Sequence, residues 1–186
     1  MVQGILHLLT GYDHLAFLLV ALLGVARQKN EDDARPLRTM LLQSFKIITA
    51  FTVAHSITLT LAATGLVVFA SKPIEASIAA TVALTALSAF WRPTRFHGWP
   101  LAFAFGLVHG FGFAGALAEL IGTRTTALSI SSFNIGIELA QIAVALALVP
   151  LLYLLARKPA FNRFVAPAIS TIVAGVAMTW FVERLV

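Results

Sequence analysis

Apolar residues fill long stretches of the chain, and short connections rich in charge, proline or glycine separate these stretches. A membrane-spanning helix needs about 20 mostly apolar residues, and the pattern predicts such helices throughout the chain. Six are expected, over about 3–26, 39–69, 74–91, 101–121, 133–156 and 164–182. The predicted fold is therefore an all-α integral membrane protein with a single six-helix transmembrane domain over residues 1–186.

Short internal similarities indicate that the six helices could be a pseudo-repeat of two three-helix halves. "FTVAH" at Phe51–His55 matches the frame of "FGLVH" at Phe105–His109, and "IEASIA" at Ile74–Ala79 resembles "IELAQIA" at Ile137–Ala143. Duplicated halves are common in transporters. The matches are short and the composition is biased, so the repeat and a chance similarity are equally compatible with the sequence.

Composition agrees with a membrane location. Of the 186 residues, 59% are hydrophobic and 11% are charged, whereas a soluble domain carries roughly 25% charged residues. There is no cysteine, which excludes disulfides, cysteine-ligated zinc and iron–sulfur clusters. The net charge of +5 lies mainly in the connections, where it indicates topology and lipid headgroup contacts instead of nucleic-acid binding. The apolar run starts almost at Met1 without a basic segment, so no cleavable signal peptide is predicted.

Lysine and arginine are distributed asymmetrically between the two ends of the predicted helices. Ten of the thirteen fall in or beside the first, third and fifth connections: Arg27, Lys29, Arg35, Arg38, Lys46, Arg92, Arg95, Arg157, Lys158 and Arg163. The opposite side has Lys72, Arg124 and Arg184. The positive-inside rule places the ten in the cytoplasm. Both termini are then outside, on the periplasmic face of the inner (plasma) membrane.

Several ionisable side chains interrupt the predicted spans. They are His7, Asp13, His14, His55, His109 and Glu138, with Glu75 and Glu119 nearer segment ends. Such residues are costly in lipid and are by default candidates for function, facing the interior of the bundle. With the predicted orientation they share the middle and outer half of the membrane. This distribution predicts one polar site that is reached from outside.

The first span poses a question of geometry. His7, Gly11 and His14 share one helix face, but seven residues of regular helix would separate the two histidines by roughly 10 Å. Either the helix is broken near Thr10 and Gly11, or His7 is an entry ligand at the outer mouth and Asp13 and His14 belong to a deeper site. Broken helices that line a cavity are known in transporters.

Other polar and small residues repeat at helical spacing near these groups. Asn134, Glu138 and Gln141 form a stripe on the fifth span, and Thr52 and Ser56 flank His55 on the second. They are candidates for the pathway or for orienting ligands, although hydroxyl stripes more often serve as contacts between helices. Gly106 and Gly110 flank His109 with the spacing of a helix-packing motif.

Imidazole and carboxylate together are typical ligands of divalent first-row metals such as nickel, cobalt, zinc or iron, whereas Cu(I) would prefer Cys or Met. A carboxylate beside a histidine also suits the orienting role that acidic groups have around metal sites, and histidines could relay protons. The chain lacks the phosphate-binding motif G-x-x-x-x-G-K and the zinc-protease motif H-E-x-x-H.

Three motifs in order resemble those of a known family. "HLLTGYDH", with the spacing H-x5-D-H, "FGLVHGFGFA" and "FNIGIELAQ" are similar to motifs of the HupE/UreJ family of membrane proteins. That family is regarded as nickel or cobalt permeases, so the resemblance implies a metal site formed by the residues that match it: His7, Asp13, His14, His109 and Glu138. His55 is added on account of its predicted depth. Relatives often have Pro after the first histidine, where this chain has Leu8.

The polar site and the resemblance together predict a permease that moves a divalent transition-metal ion, Ni2+ or Co2+, from outside to the cytoplasm, with Ni2+, Co2+ or Zn2+ as the substrate or bound ion. The expected partners are the metal ion and the lipid bilayer, with a homo-oligomer possible. The alternative is a membrane-embedded zinc hydrolase, in which three histidines and a carboxylate hold the metal and leave a position open for water. A haem-binding subunit with His55 and His109 as axial ligands is a third interpretation.

Overall fold

The computed structural model describes residues 1–27, 35–67, 70–88, 98–112 and 127–186. Every regular element in these ranges is helical, as predicted. The helices are α1 Val2–Thr10, α2 Tyr12–Ala26, α3 Leu37–Ala63, α4 Ser71–Ser88, α5 Trp99–Gly112, α6 Ala127–Ala156 and α7 Ala166–Leu185. A π-helical turn, Phe161–Val165, leads directly into α7.

The lengths and apolar character of the helices agree with a multi-pass membrane protein. In the part of the chain that the structure describes, three helical stretches are long and apolar enough to span a bilayer: α3, α6 from Leu128, and Phe161–Leu185. The bent pair α1 and α2 makes a fourth if it is one span, and α5 is apolar but has 14 residues. The six-span count and the two-half repeat stay predictions, and Glu119 lies outside the described residues.

Two helix boundaries differ from the sequence prediction for identifiable reasons. Helix α6 already includes Ala127, six residues before the expected start at 133, and its first turn is held by Ile130, which is buried in an apolar cluster with Leu8 and Leu59. Helix α3 ends at Ala63 instead of near 69. There Gly65 takes a φ of +72°, a left-handed conformation that glycine adopts readily and that ends the helix.

Helix α3 lies between α5 and α6 and has its most extensive contact with α5. Glycines allow that close contact. A Cβ atom at Gly106 would come within 2.9 Å of the Ala54 Cβ and would collide with the Phe51 carbonyl oxygen. A Cβ atom at Gly110 would collide with Thr58 Oγ1. The small-residue spacing around His109 therefore sets the distance between the backbones of α3 and α5.

Helix α1 packs across α6 in the same way. Cβ atoms at Gly4 and Gly136 would collide with the carbonyl oxygens of Phe133 and Met1, respectively. The two glycines let the backbones of α1 and α6 touch, so α1 has a fixed position on α6. Helix α2 contacts α4, α6, α3 and α7, and α4 packs along α7.

We expect Gly106→Ala to destabilise the protein by about 1–3 kcal/mol, since the added methyl group overpacks a contact that cannot relax without moving a backbone. The measurement is the apparent Tm of the detergent-solubilised protein. Gly175→Ala is the matched control, because a Cβ atom there would meet no atom of the described residues within 4 Å. Equal Tm values for the two variants would contradict the proposed role of the close α3–α5 contact.

Candidate metal centre

The first predicted span is broken at Gly11, and the break brings its two histidines together. Helices α1 and α2 meet there at an angle of 76°. Gly11 has an extended backbone (φ −81°, ψ 93°), and its N–H still donates to the His7 carbonyl oxygen at 2.9 Å. The imidazole rings of His7 and His14 are consequently 4.7 Å apart between centroids. Of the two alternatives left open by the sequence, the structure has the broken helix.

Gly11 also leaves room for the rings that the bend brings together. A Cβ atom at this position would lie 2.8 Å from both His14 Nδ1 and the His7 carbonyl oxygen. Any larger residue would therefore displace one of them. Gly11 is needed for the absence of its side chain and not for a left-handed backbone.

Three histidines from three other helices lie around His14 of α2. His7 lies on α1, His55 on α3 and His109 on α5. The centroid of the His14 ring is 4.9 Å from that of His109 and 6.4 Å from that of His55. Among the described residues, two sets of three side chains could each hold a metal ion, because the three ligand atoms within a set lie within 4.8 Å of one another. One set is His7, His14 and His55, and the other is Asp13, His14 and His109. His14 belongs to both.

Each of the three buried rings has an acceptor at Nδ1. His14 Nδ1 lies 3.0 Å from Asp13 Oδ1, and His109 Nδ1 lies 3.0 Å from the Phe105 carbonyl oxygen. His55 Nδ1 lies 2.9 Å from Asn134 Oδ1, and the Asn134 amide is oriented because its Nδ2 donates to the Ile130 carbonyl oxygen at 3.0 Å. Since these oxygens accept, each Nδ1 carries the proton and donates it.

The other ring nitrogen of each buried histidine, Nε2, then carries no proton and has a free lone pair. Within the described residues, Nε2 of His14, His55 and His109 makes no hydrogen bond although it is buried. Buried polar atoms are nearly always satisfied, so three such nitrogens together need an explanation. Neutral imidazoles that donate from one nitrogen and present the other are arranged as metal ligands usually are. One set can therefore offer three imidazoles to an ion, and the other can offer two imidazoles and the Asp13 carboxylate.

Three phenylalanines, one from each helix that carries a buried histidine, pack beneath the rings. Phe17 stacks on Phe105 at 4.5 Å and on Phe51 at 5.5 Å between ring centroids. Phe51 and Phe105 also stack on His55 and His109, four residues later in their own helices. All three are almost fully buried. We call Phe17, Phe51 and Phe105 the aromatic floor of the centre.

The predicted polar stripe of α6 forms a ladder of hydrogen bonds with α3. From His55 towards the start of α3, Thr52 Oγ1 donates to Gln141 Oε1 at 3.2 Å, and Thr49 Oγ1 donates to Glu138 Oε1 at 2.8 Å. Glu138 is in neither of the two ligand sets. The Ser56 hydroxyl donates to the Thr52 carbonyl oxygen within α3.

Sequence reasoning missed two contributors to the centre. Arg184, considered only as a charge on the outer side, has its Nη2 3.5 Å from Asp13 Oδ2. The aromatic floor was the other. Part of its signal is the repeated F-x-x-x-H of "FTVAH" and "FGLVH", which also underlies the predicted two-half repeat. The spacing places each phenyl ring one turn from its histidine on the same helix face.

One comparison with known proteins gave a match. The family model described as HupE / UreJ protein matches residues 1–184, which is essentially the whole chain. No curated protein and no solved structure matches the chain.

The bend at Gly11 can be tested by a thiol-pair experiment, because the chain has no cysteine of its own. We expect the double variant His7→Cys, His14→Cys to be bridged by dibromobimane, which fluoresces when it links two nearby thiols. The control pair, Val53→Cys and Thr60→Cys, has the same seven-residue spacing within the uninterrupted α3 and should not be bridged. If the His7→Cys, His14→Cys pair gave fluorescence as low as that of the control pair, the first span would be a regular helix.

Proposed function

The chain belongs to the HupE/UreJ family, and on this basis we propose that it is a membrane permease for a divalent transition-metal ion. The cargo proposed is Ni2+ or Co2+, carried from outside to the cytoplasm, with both termini outside. The observation that carries the proposal is the convergence of buried histidines whose Nδ1 atoms have acceptors and whose buried Nε2 atoms have no hydrogen-bond partner among the described residues. Imidazole nitrogen is a favoured ligand for these metals.

In this proposal His14 is the central ligand, because it is common to both ligand sets. His7 and His55 complete one set, and Asp13 and His109 complete the other. Asp13 also orients the His14 ring through Oδ1. An ion could pass from one set to the other while it stays bound to His14. A site made of overlapping ligand sets suits transport, which requires binding that is strong enough for entry and weak enough for release.

The ladder between α3 and α6 is the proposed continuation of the path towards the cytoplasm. It follows α3 from His55 back through Thr52 to Thr49, which is about 9 Å along the helix axis. With the predicted orientation, this direction leads inward. Glu138, which accepts from Thr49 but lies between Asn134 and Gln141 along α6, is proposed to receive the ion or a proton after the histidines, not together with them.

The family match gives no support to the alternative of a zinc hydrolase. The proposed permease and such an enzyme differ in what the aromatic floor does. Three stacked phenyl rings against the histidines leave little space for an organic substrate on that side. A single ion needs only the space between the rings.

We expect His14→Ala to lower the rate of Ni2+ and Co2+ uptake into proteoliposomes by about 100-fold or more, since it removes the ligand common to both sets. Thr171→Ala is the control, because Thr171 is exposed and its hydroxyl bonds within α7, to the Pro167 carbonyl oxygen. Wild-type uptake by the His14→Ala protein, at equal reconstitution, would refute the proposed site.

Asn134 offers a test of ligand orientation. We expect Asn134→Leu to weaken metal binding by about 10–100-fold, the usual cost of losing a group that orients a histidine ligand. Binding is measured by titration of the purified protein with Ni2+. Gln141→Leu is the matched control, because it also removes a buried amide from α6. The Gln141 amide accepts from Thr52 and has no bond to a histidine. Equal effects of the two substitutions would assign Asn134 to helix packing.

A further inference from the structure

Arg184 is held in place by three elements at the outer end of the centre. Its Nη1 donates to the Glu75 carbonyl oxygen on α4 at 3.0 Å, and its Nη2 lies 3.5 Å from Asp13 Oδ2 on α2. Its guanidinium carbon lies 5.9 Å from the centre of the Trp180 ring on its own helix. The side chain is 26% exposed. A guanidinium with these contacts has a defined position, unlike a charge that only marks membrane topology.

The position of Arg184 sets the charge of the centre. The two ligand sets contain one carboxylate, that of Asp13, and four histidines. One Asp13 oxygen accepts from His14 and the other faces Arg184. When the imidazoles are neutral, the negative charge of Asp13 and the positive charge of Arg184 cancel. A divalent ion in the centre would then have no net negative charge from these groups to balance its own.

Resting on the proposed function, we propose that Arg184 is an affinity-setting residue that keeps metal binding weak enough for release. The guanidinium repels the ion and also holds the second Asp13 oxygen, which could otherwise coordinate. Both effects weaken binding in the same direction. Repulsion between a single and a double positive charge about 10 Å apart corresponds to about fourfold in affinity in water and a few hundredfold at an effective dielectric constant of about 20.

The experiment compares Arg184→Gln and Arg184→Met with Arg184→Lys and Lys72→Gln in the purified full-length protein. The first two remove the charge, and the methionine variant retains much of the side-chain volume. Lys72→Gln is the matched control, because it removes a cation near Glu75 at the start of α4. The Lys72 ammonium bonds to the Val186 carbonyl oxygen and not to Asp13. Each protein is titrated with Ni2+ and assayed for Ni2+ uptake in proteoliposomes at low and at saturating concentrations.

We expect both charge-removing variants to bind Ni2+ about tenfold more tightly or better, with a lower KM and a lower maximal uptake rate. Arg184→Lys and Lys72→Gln should stay within about threefold of wild type. Unchanged or weaker binding by the charge-removing variants would overturn the inference, because a merely structural role for Arg184 predicts that result. Absence of Ni2+ and Co2+ binding by the wild-type protein would instead refute the proposed function, so the two failures are distinguishable.

Discussion

The interruption of the helix at Gly11 is the constraint on which the centre depends. Without it, His7 and His14 would lie two turns apart on one helix face. With it, α1 turns through 76° and rests on α6, where Gly4 and Gly136 let the backbones touch. One residue without a side chain thus determines both the path of the chain and the contact between the two rings.

The hydrogen bonds around the centre matter as much as the histidines themselves. A buried imidazole can be satisfied on one nitrogen by a neighbour on its own helix, as His14 and His109 are, or by another helix, as His55 is. In all three cases the acceptor bonds to Nδ1 and leaves Nε2 unbonded. The fold therefore specifies which nitrogen is available to a ligand before any ligand arrives.

The sequence predicts the helical fold and the candidate residues of the centre, but it predicts poorly which of these residues contact one another. Apolar runs and costly polar groups within them are local signals, so His7, Asp13, His14, His55 and His109 could be selected from the chain alone. The pairing of Arg184 with Asp13 joins the two ends of the chain, and no local pattern encodes it. Glu138 shared the stripe of Asn134, but helix crossing directs it to Thr49 instead of the rings. The break at Gly11 stayed one of two alternatives because glycine permits a bend without requiring one.

The aromatic floor has a consequence for how an ion in the centre would be hydrated. Phenyl faces offer no hydrogen-bond acceptor or donor to water, and the three rings are packed against one another. Water molecules retained by an ion among the histidines would therefore find no partner on the side of the aromatic floor. The repeated F-x-x-x-H spacing thus makes the hydration shell one-sided, because an ion beside the floor can keep or regain water molecules only on its other sides.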